Sequence, residues 1–453
     1  MCHKGISYSA RFRLVVALLA IIAGTAMASG QSYQVIQSFG TESVNPQAGL
    51  VADGAGNLYG TTFSGGFCAS GSLYELSPLP AGQWAYTVLH TFCLGIYDIA
   101  NPSGALTFDA SGNLYGTTTQ GIEVFPGSTV TPVRGVSPWD MEFPYPPGPG
   151  AAFKFSPPTA AGGTWTENII FAFPAFSFSA GADPQGRPIF DAQGNLYMTA
   201  LSGGAGIAYP CVFGGCGAVF ELTPPPPPSQ SGWTQSVLYS FGHFLGDGLS
   251  TSPDLILRDG ALFGTTEKGG TSSQGTVFEL TESNGVWSEQ VLHNFTFAEG
   301  GAPIGNLIFD AAGNIYGTTF TSDNPHCQYG CGAVFKLSPP EVTGDLWQET
   351  TLYSFTGGKD GGNPQGGLTQ DPTGDLFGTT ILGGAGNGVV FKLAPPKIPG
   401  GKWNYVVLHT FAGAPNDGSG PVGKLLLING KGLYGVTSLG GADNNGTAFN
   451  LVP

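Results

Sequence analysis

The sequence predicts an all-β protein, a seven-bladed β-propeller with four antiparallel strands in each blade. The first reason is a motif, Gly-Asn-Leu-Tyr-Gly-Thr-Thr, that occurs seven times with small changes. Its spacing of about 50–60 residues indicates a repeat array or a propeller. The second reason is composition, because 74 glycines and 35 prolines in 453 residues suit short strands and tight turns. The copies are Gly56–Thr62, Gly112–Thr118, Gly194–Ala200, Gly260–Thr266, Gly313–Thr319, Gly374–Thr380 and Gly432–Ser438.

The first 28 residues have the features of a secretory signal peptide. They contain a basic stretch, an apolar run and a small-residue cleavage site, namely Lys4 to Arg13, Leu14 to Ala23 and Ala26 to Ala28. We therefore expect cleavage near Ala28 and a secreted protein, periplasmic or extracellular, formed by residues 29–453. An uncleaved anchor is the alternative, although the run is short for a membrane span. We expect no membrane span in the mature chain.

The charge balance narrows the choice of partner. The chain has 15 Lys and Arg against 30 Asp and Glu, and removal of residues 1–28 changes the net charge from −15 to −18. This acidity argues against nucleic acid or an anionic membrane. It is compatible with a cation, a neutral glycan or a basic surface. Cleavage would also leave six cysteines, an even number that predicts disulfides in an exported protein.

Each repeat contains four strand-like runs, of which the first starts at a proline and the second is the motif. An Asp-x-x-Gly-Asn turn joins them in most repeats and predicts a tight hairpin, because Asp accepts hydrogen bonds from the turn and Gly adopts a left-handed conformation. Calcium is the alternative use of this turn, but the segment is short for six or more oxygen ligands. The first runs are Pro46–Asp53, Pro102–Asp109, Pro184–Asp191, Pro253–Asp259, Pro303–Asp310, Pro364–Asp371 and Pro421–Ile428.

The third and fourth runs also read as strands. The third, Gly-x-Val-Phe-x-Leu, alternates apolar and polar residues, and prolines usually follow and end it. The fourth begins at Trp and ends at Phe, and these aromatics are predicted to pack between neighbouring sheets. Three fourth runs carry a histidine where others have Gln, Phe or Tyr, so we predict a structural role for His90, His293 and His409.

The ends of the repeat array predict ring closure. An unpaired fourth run, Ser32–Phe39, precedes the first repeat, and the last repeat stops after a third run, Gly446–Pro453. We expect the N-terminal strand to complete the C-terminal blade, because closure leaves only short, protected sheet edges. An open solenoid would need a capping repeat at each end.

The combined pattern resembles a known family. Gly-Asn-Leu-Tyr-Gly-Thr-Thr, Gly-x-Val-Phe-x-Leu-Ser-Pro and Trp-x-x-x-Val-Leu-His-x-Phe, repeated over about residues 31–453, resemble the GloVer tandem repeat of choice-of-anchor bacterial exported proteins. The first hairpin is also similar to NHL-type propeller blades. The resemblance implies an exported propeller and supplies no activity or site residues.

Candidate binding residues are acids on one predicted face. If the first run is innermost, the second-to-third and fourth-to-first loops share a face, here called the loop-rich face, and function concentrates on such loops. Its acids could form a ring that binds a cation or a basic partner. The alternative, which we favour, is that each acid accepts hydrogen bonds from its own loop. The acids are Glu42, Asp98, Asp183, Asp247, Glu299, Asp360 and Asp417.

The six remaining cysteines lie on the same predicted face. We predict the disulfides Cys68–Cys93, Cys211–Cys216 and Cys327–Cys331. His326 beside Cys327 could suggest a metal site, but a complete ligand set at zinc spacing is not evident, so we predict no metal.

The second repeat carries a long insertion at about residues 119–150. Its Arg134, Trp139, Asp140 and Glu142 combine an aromatic ring with both signs of charge. They could cover a pocket or hold a sugar ring. The alternative is a proline-stiffened loop that binds nothing.

The sequence argues weakly for a function. It contains no Gly-x-Ser-x-Gly elbow, no His-Glu-x-x-His and no phosphate loop. We therefore expect a non-enzymatic exported propeller, a binding or display module that engages a glycan or a protein at the loop-rich face without a cofactor. The alternatives are a carbohydrate-active or lyase-type enzyme that uses acids of that face, and a structural spacer.

Overall fold

The computed structural model describes residues 31–93, 99–121, 149–160, 162–174, 181–204, 215–226, 232–244, 246–324, 327, 330–341, 347–398 and 400–453. These residues form seven antiparallel sheets, which are the seven blades. The predicted signal peptide and most of the predicted insertion lie outside the described residues. Within the described part of the chain, we find no helical segment that could span a bilayer.

The first three blades follow one another along the chain. Blade 1 contains β2 (Val51–Ala52), β3 (Leu58–Thr62), β4 (Ser72–Pro78) and β5 (Trp84–Thr91), with a 3₁₀ turn at Pro80–Gly82. Blade 2 contains β6 (Ala100–Pro102), β7 (Thr107–Phe108), β8 (Leu114–Gln120), β9 (Ala151–Ser156) and β10 (Thr166–Ala172). Blade 3 contains β11 (Ala182–Pro184), β12 (Ile189–Phe190), β13 (Leu196–Ser202), β14 (Ala218–Thr223) and β15 (Thr234–Ser240). In blades 2 to 4 the innermost strand is split in two.

The last four blades repeat the arrangement. Blade 4 contains β16 (Gly248–Thr251), β17 (Ile256–Arg258), β18 (Ala261–Gly269), β19 (Thr276–Ser283) and β20 (Val286–Asn294). Blade 5 contains β21 (Ile308–Phe309), β22 (Ile315–Thr319), β23 (Ala333–Ser338) and β24 (Gln348–Ser354). Blade 6 contains β25 (Leu368–Gln370), β26 (Leu376–Thr380), β27 (Val389–Ala394) and β28 (Asn404–Thr410). Blade 7 contains β29 (Gly418–Ile428), β30 (Gly432–Gly440), β31 (Thr447–Val452) and the N-terminal β1 (Ser32–Ser38).

The N-terminal strand closes the ring, as predicted. β1 pairs antiparallel with β31, and Val35 lies opposite Phe449 in the register. The side chain of Tyr33 reinforces the pairing, because its hydroxyl donates a 2.5 Å hydrogen bond to the carboxylate of Asp417 in the loop before β29. Strands from the two ends of the described chain therefore form one sheet.

The recurring Asp, Asn and Tyr of the first hairpin form one hydrogen-bonded unit. In blade 1, Oδ1 of Asp53 accepts from the backbone N–H groups of Ala55 and Asn57, both at 2.9 Å. Its Oδ2 accepts from Asn57 Nδ2 at 2.8 Å and from the Tyr59 hydroxyl at 3.2 Å. The same four bonds recur at Asp109, Asp191 and Asp310. The predicted tight hairpin is confirmed, and both carboxylate oxygens have local donors.

The aromatic residues of the fourth strand pack between blades, as predicted. Trp84 of blade 1 lies edge-on to Tyr434 of blade 7, with ring centroids 5.9 Å apart. Trp165 of blade 2 contacts Tyr59 of blade 1 at 5.8 Å. The phenylalanines that end the fourth runs are fully buried, and each contributes about 1.5–3 kcal/mol through the hydrophobic effect. These are Phe39, Phe92, Phe173, Phe241, Phe295, Phe355 and Phe411.

Small residues let the innermost segments converge on the axis. A Cβ on Gly186 of blade 3 would overlap the carbonyl oxygen of Pro253 in blade 4, and a Cβ on Gly366 of blade 6 would overlap that of Gly423 in blade 7. Backbones of neighbouring blades thus approach more closely than any side chain allows. This approach brings all seven innermost segments to one axis.

Replacing Gly186 with alanine is expected to destabilise the ring. The backbone conformation of Gly186 is accessible to alanine, but the added Cβ overlaps backbone of the next blade. Overpacking of this kind costs about 1–3 kcal/mol, which denaturant unfolding can measure. Gly54→Ala is the matched control, because a Cβ there meets nothing within 4 Å. Equal stability of the two variants would contradict the close approach at the axis.

Candidate binding site

Asp247, Asp360 and Asp417, three acids of the loop-rich face, each lie at a boundary between two blades. Asp417 lies where blades 6 and 7 meet, and only 8% of it is exposed. Its carboxylate accepts from the Tyr33 hydroxyl, from the backbone N–H groups of Ala412 and Gly418, and contacts His409 Nε2 at 3.0 Å. Burial alone would raise the pKa of Asp417, but these hydrogen bonds lower it to about 2. Asp417 therefore stays ionised and stabilises the blade boundary.

Asp360 occupies the same place between blades 5 and 6. It accepts from the Tyr353 hydroxyl and from the Thr356 backbone N–H, both at 2.9 Å. Tyr405 of blade 6 stacks on Tyr353 of blade 5, with ring centroids 4.1 Å apart and planes 9° apart. The Tyr405 hydroxyl donates to the Asp360 carbonyl oxygen. The acid and the two rings form one contact between neighbouring blades.

Asp247 takes part in a carboxyl pair between blades 3 and 4. The Tyr239 hydroxyl lies 3.1 Å from Glu289 Oε2 and 3.4 Å from both Asp247 oxygens, and His243 N–H donates to Asp247 at 2.8 Å. Burial raises the pKa of Glu289 to about 7, and the charge of Asp247 acts in the same direction. Glu289 is therefore about half protonated near neutral pH.

Glu299 belongs to the boundary between blades 4 and 5. It accepts from the backbone N–H of Thr296 at 3.0 Å and lies 3.6 Å from His293 Nε2. Burial lowers the pKa of His293, and the carboxylate of Glu299 only partly offsets this. Burial also raises the pKa of Glu349 in blade 5 to about 7, with a further contribution from the charge of Glu299.

Contacts of this kind form an inter-blade cluster of a loop acid, a fourth-strand residue and a residue of the next blade, which occurs between blades 3 and 4, 4 and 5, 5 and 6, and 6 and 7. Each fourth strand has a β-bulge just before this fourth-strand position, and a bulge re-aims the following side chain. The residues at this position after the bulges are Gln37, His90, Phe171, Tyr239, His293, Tyr353 and His409.

Sequence reasoning missed the third member of the cluster. It lies two residues after the tryptophan of the fourth run, where blades 1 to 6 have Tyr86, Glu167, Gln235, Glu289, Glu349 and Tyr405. The signal that the sequence offered was a large polar residue two positions after the Trp of these fourth runs. In blade 2, Glu167 lies 3.7 Å from His90 of blade 1. Burial lowers the pKa of His90 to about 4, so His90 is neutral at pH 7.

The remaining predicted acids have different positions. Glu42 is exposed. Asp183 has a left-handed backbone, with φ of 54°, as do Asn45, Asn101, Ala302 and Asn363 before the first runs of four other blades. Asp and Asn tolerate this conformation, and the Asp183 N–H donates to Pro149 of blade 2 at 2.8 Å. Asp98, Arg134, Trp139, Asp140 and Glu142 lie outside the described residues.

Two predicted disulfides are present. Cys68–Cys93 and Cys327–Cys331 have Cα atoms 5.1 and 5.2 Å apart, as disulfides require. Cys216 is also disulfide-bonded, whereas Cys211 lies outside the described residues. Among the side chains that the structure describes, no group of three His, Cys, Asp or Glu residues is arranged to hold a metal.

A large cavity follows the propeller axis. Its volume is about 1110 Å³, and residues of all seven blades line it. Leu201, Glu267 and Phe320 line it near the loop-rich face, whereas Asp371 and Asn429 line it near the opposite face. The cavity thus extends along much of the axis.

Alternate positions of the innermost segments form the cavity wall. At one position of the innermost segment, five blades have an amide or a hydroxyl side chain, and these side chains form a polar layer. They are Gln47, Ser103, Gln185, Ser252 and Gln365. Two residues further along each segment lies a second layer, here called the charged layer, formed by Arg187, Asp254, Asn306 and Lys424. The other three blades have Gly49, Ala105 and Gly367 at that position.

The charged layer has its own internal contacts. Asp254 accepts from the Arg187 backbone N–H at 2.8 Å and from the Asn306 side-chain amide. Burial lowers the pKa of Lys424 to about 8, and the charge of Arg187 acts in the same direction while Asp254 opposes it. A second cavity of about 360 Å³ is lined by the same four residues. The sequence did not predict this layer, since its members are far apart along the chain.

Fold and cavity define the protein as a seven-bladed β-propeller with a large axial cavity. The chain belongs to the Gloeobacter/Verrucomicrobia repeat family, whose model matches residues 145–340 and 320–453. The family assignment agrees with the resemblance noted in the sequence. Among curated proteins, none matches this sequence.

Solved structures with a similar fold include two extracellular domains from B. thetaiotaomicron. That of BT4673, described as a hybrid two component system, has a TM-score of 0.50 and 10% identity over 92% of this chain and 40% of that chain. That of BT3049 has a TM-score of 0.47 and 12% identity over 93% and 41%. This chain therefore spans less than half the length of these two structures. At such low identity, the likeness to BT4673 shows the fold alone.

Asp417→Asn is expected to weaken ring closure. The variant removes the charged acceptor of Tyr33, so the free energy of unfolding should fall by about 1.5–3 kcal/mol at pH 7. The folded-state pKa is lowered, so this stabilisation is present above pH 3.8 and disappears as pH falls through about 2. Denaturant unfolding at several pH values measures the difference, with exposed Asp323→Asn as control. A difference that is independent of pH would contradict the charge-based explanation.

Glu289→Gln is expected to stabilise the protein at alkaline pH. The folded-state pKa is raised from 4.5 to about 7, so the native state loses stability as pH rises through this window. The neutral variant should have a melting temperature about 1–3 °C above the wild type at pH 8.5. The difference should vanish at pH 4.5. Calorimetry measures it, and exposed Glu341→Gln should have no such effect; a matching gain there would refute the assignment.

Proposed function

We propose that the protein is a non-enzymatic binding module that works outside the cytoplasm. Its ligand is polar, a glycan or a segment of another protein, and enters the axial cavity from the loop-rich face. The site and not the fold is the basis for this proposal, since propellers serve many functions.

The observation that carries the proposal is the wall of the axial cavity. Its polar layer offers three glutamine amides and the Ser103 hydroxyl, while the Ser252 hydroxyl donates to the Pro303 carbonyl oxygen at 2.7 Å. Amides and hydroxyls both donate and accept hydrogen bonds, so they suit sugar hydroxyls or peptide groups. Ser103 Oγ is buried without a hydrogen-bond partner among the described residues, which supports a role in holding a polar ligand. The volume of about 1110 Å³ is ample for such a ligand.

The state of the loop acids argues against catalysis. Asp247, Asp360 and Asp417 accept hydrogen bonds from tyrosines and from the backbone of their own loops. A general acid or base must instead reach the substrate directly or through one water. These contacts support a role of the three acids at the blade boundaries and not in catalysis.

The disulfides support a location outside the cytoplasm. Disulfides persist in oxidising compartments and are rare in the cytosol, and this chain has Cys68–Cys93 and Cys327–Cys331. The predicted signal peptide, with cleavage near Ala28, points the same way. A secreted protein of the periplasm or the cell exterior is the proposed location.

The test is to fill the cavity. Ala105 lines it, so Ala105→Trp should place an indole in the ligand's space and abolish binding while the fold is retained. A thermal-shift screen of residues 29–453 with neutral and acidic oligosaccharides and peptides identifies the ligand, because bound ligand raises apparent stability. Calorimetry then compares the variants.

Val286→Trp is the matched control, since Val286 lies on the outermost strand of blade 4 and is 68% exposed. It should bind the ligand as the wild type does. Equal binding by Ala105→Trp would place the ligand outside the cavity. Turnover of a polysaccharide in the same samples would overturn the non-enzymatic proposal.

A carbohydrate-active or lyase-type enzyme is the second candidate, and one observation favours it. Asp247 and Glu289 form a carboxyl pair in which burial raises the pKa of Glu289 to about 7, and glycosidases use such pairs. Asp247 is only 2% exposed, which disfavours contact with a polymer. Turnover that Glu289→Gln abolishes, and that Glu349→Gln at the equivalent position of blade 5 does not, would establish this candidate.

A further inference from the structure

The charged layer places two cations against one carboxylate in the centre of an acidic protein. Arg187 and Lys424 carry the positive charges, and Asp254 carries the negative charge. The other carboxylates of the cavity wall are Glu267 and Asp371. Glu267 lies 3.7 Å from Lys268, and Asp371 accepts hydrogen bonds from its own turn. The layer itself therefore has an excess positive charge, whereas the whole chain has a net charge of −15.

Neither cation has a protein partner for its charged group among the described residues. Arg187 Nε is buried without a hydrogen-bond partner. The side chains of Arg187 and Lys424 form no ion pair within 4.0 Å with a described carboxylate. Asp254 is not within ion-pair distance of either cationic group, and its oxygens accept from the Arg187 backbone N–H and from the Asn306 side-chain amide.

Two neighbouring, partly desolvated cations are unfavourable unless an anion lies between them. The lowered pKa of Lys424 is a consequence of this crowding, since burial and the Arg187 charge both disfavour the ammonium form. The charge of a bound anion would oppose both effects, because it favours the ammonium form. The geometry is thus preorganised for an anion, which supplies the charge that the protein itself lacks there.

We propose that the charged layer is a binding site for the oxyanion of a small acidic ligand. The inference rests on the proposed binding function, because the layer lies in the same cavity. Arg187 offers a planar set of donors that suits carboxylate, sulfate or phosphate oxygens, and Lys424 adds a point charge. Asn306 and the polar layer hold the neutral remainder of the ligand.

The three blades without a charged-layer side chain complete the site. Gly49, Ala105 and Gly367 occupy the equivalent positions, and the first two line the cavity. Gly49 and Ala105 belong to blades 1 and 2, across the axis from Asp254 and Asn306 of blades 4 and 5, whereas Gly367 packs against Asn306. The cationic side chains therefore have space beside them for an anion.

The experiment is a titration of the mature protein with acetate, galacturonate, sulfate and phosphate, followed by calorimetry and thermal unfolding. Chloride at matched ionic strength is the reference, since sulfate and phosphate also stabilise proteins by exclusion from the surface. The wild type should bind at least one oxyanion specifically. The anion that binds shows whether the ligand carries a carboxylate, a sulfate or a phosphate group.

Arg187→Met and Lys424→Met should each weaken this binding by at least about tenfold. Both variants keep the backbone N–H groups and an unbranched side chain without the charge, and circular dichroism checks the fold. Lys402→Met is the matched control, because Lys402 is exposed and should leave binding unchanged. Lys424→Arg keeps the charge and should retain binding even if a methionine variant fails to fold.

The outcomes separate this inference from the proposed function. Loss of binding in both methionine variants, with retention in Lys402→Met and Lys424→Arg, supports the oxyanion site. Stabilisation by anions that is equal in all variants overturns it. If the protein ignores every anion but binds a neutral ligand that Ala105→Trp excludes, the inference fails and the proposed function stands.

Discussion

Backbone pairing between β1 and β31 is the constraint on which the structure depends, because it closes the ring. Seven similar sheets packed side by side would otherwise leave two open faces. The closing strand also contributes side-chain contacts beyond the ladder, since Ile36 is buried in a core cluster with residues of blades 1 and 7. Tyr33 supplies two of them, a hydrogen bond to Asp417 and a stack on His409 with ring centroids 3.5 Å apart. Closure creates the common axis, and therefore the cavity.

Ring closure requires each blade to pack against the next blade. At the boundaries, a polar cluster lies beside a hydrophobic layer. The Trp and Phe residues of the fourth strands supply the apolar contact, while loop acids, tyrosines and histidines supply hydrogen bonds. The clusters differ in charge state: Asp417 is held ionised, whereas Glu289 and Glu349 titrate near neutral pH. Blade boundaries with the same fold thus respond differently to pH, because the neighbours of each carboxyl differ.

The functional candidates lie where the repeats differ from one another. Glycines such as Gly186 and Gly366 bring the innermost segments together, and this leaves alternate side chains as the wall of the cavity. At the charged layer the repeat symmetry is broken, since four blades have polar residues and three have Gly or Ala. Small residues at the Gly186 position recur from blade to blade and maintain the scaffold. The residue that follows them differs between blades and sets the ligand chemistry.

The sequence by itself determined the fold class, the seven blades, the closing strand, the tight Asp turns and the Trp and Phe packing, because these are local or periodic signals. It also placed the acids on the loop-rich face and paired Cys68 with Cys93. Only the tertiary structure decided what the acids contact, since the partners Tyr405 and Glu289 belong to the next blade. The charged layer likewise joins Arg187 to Lys424 across more than 200 residues. Ring closure brings such residues together, and no local pattern records that proximity.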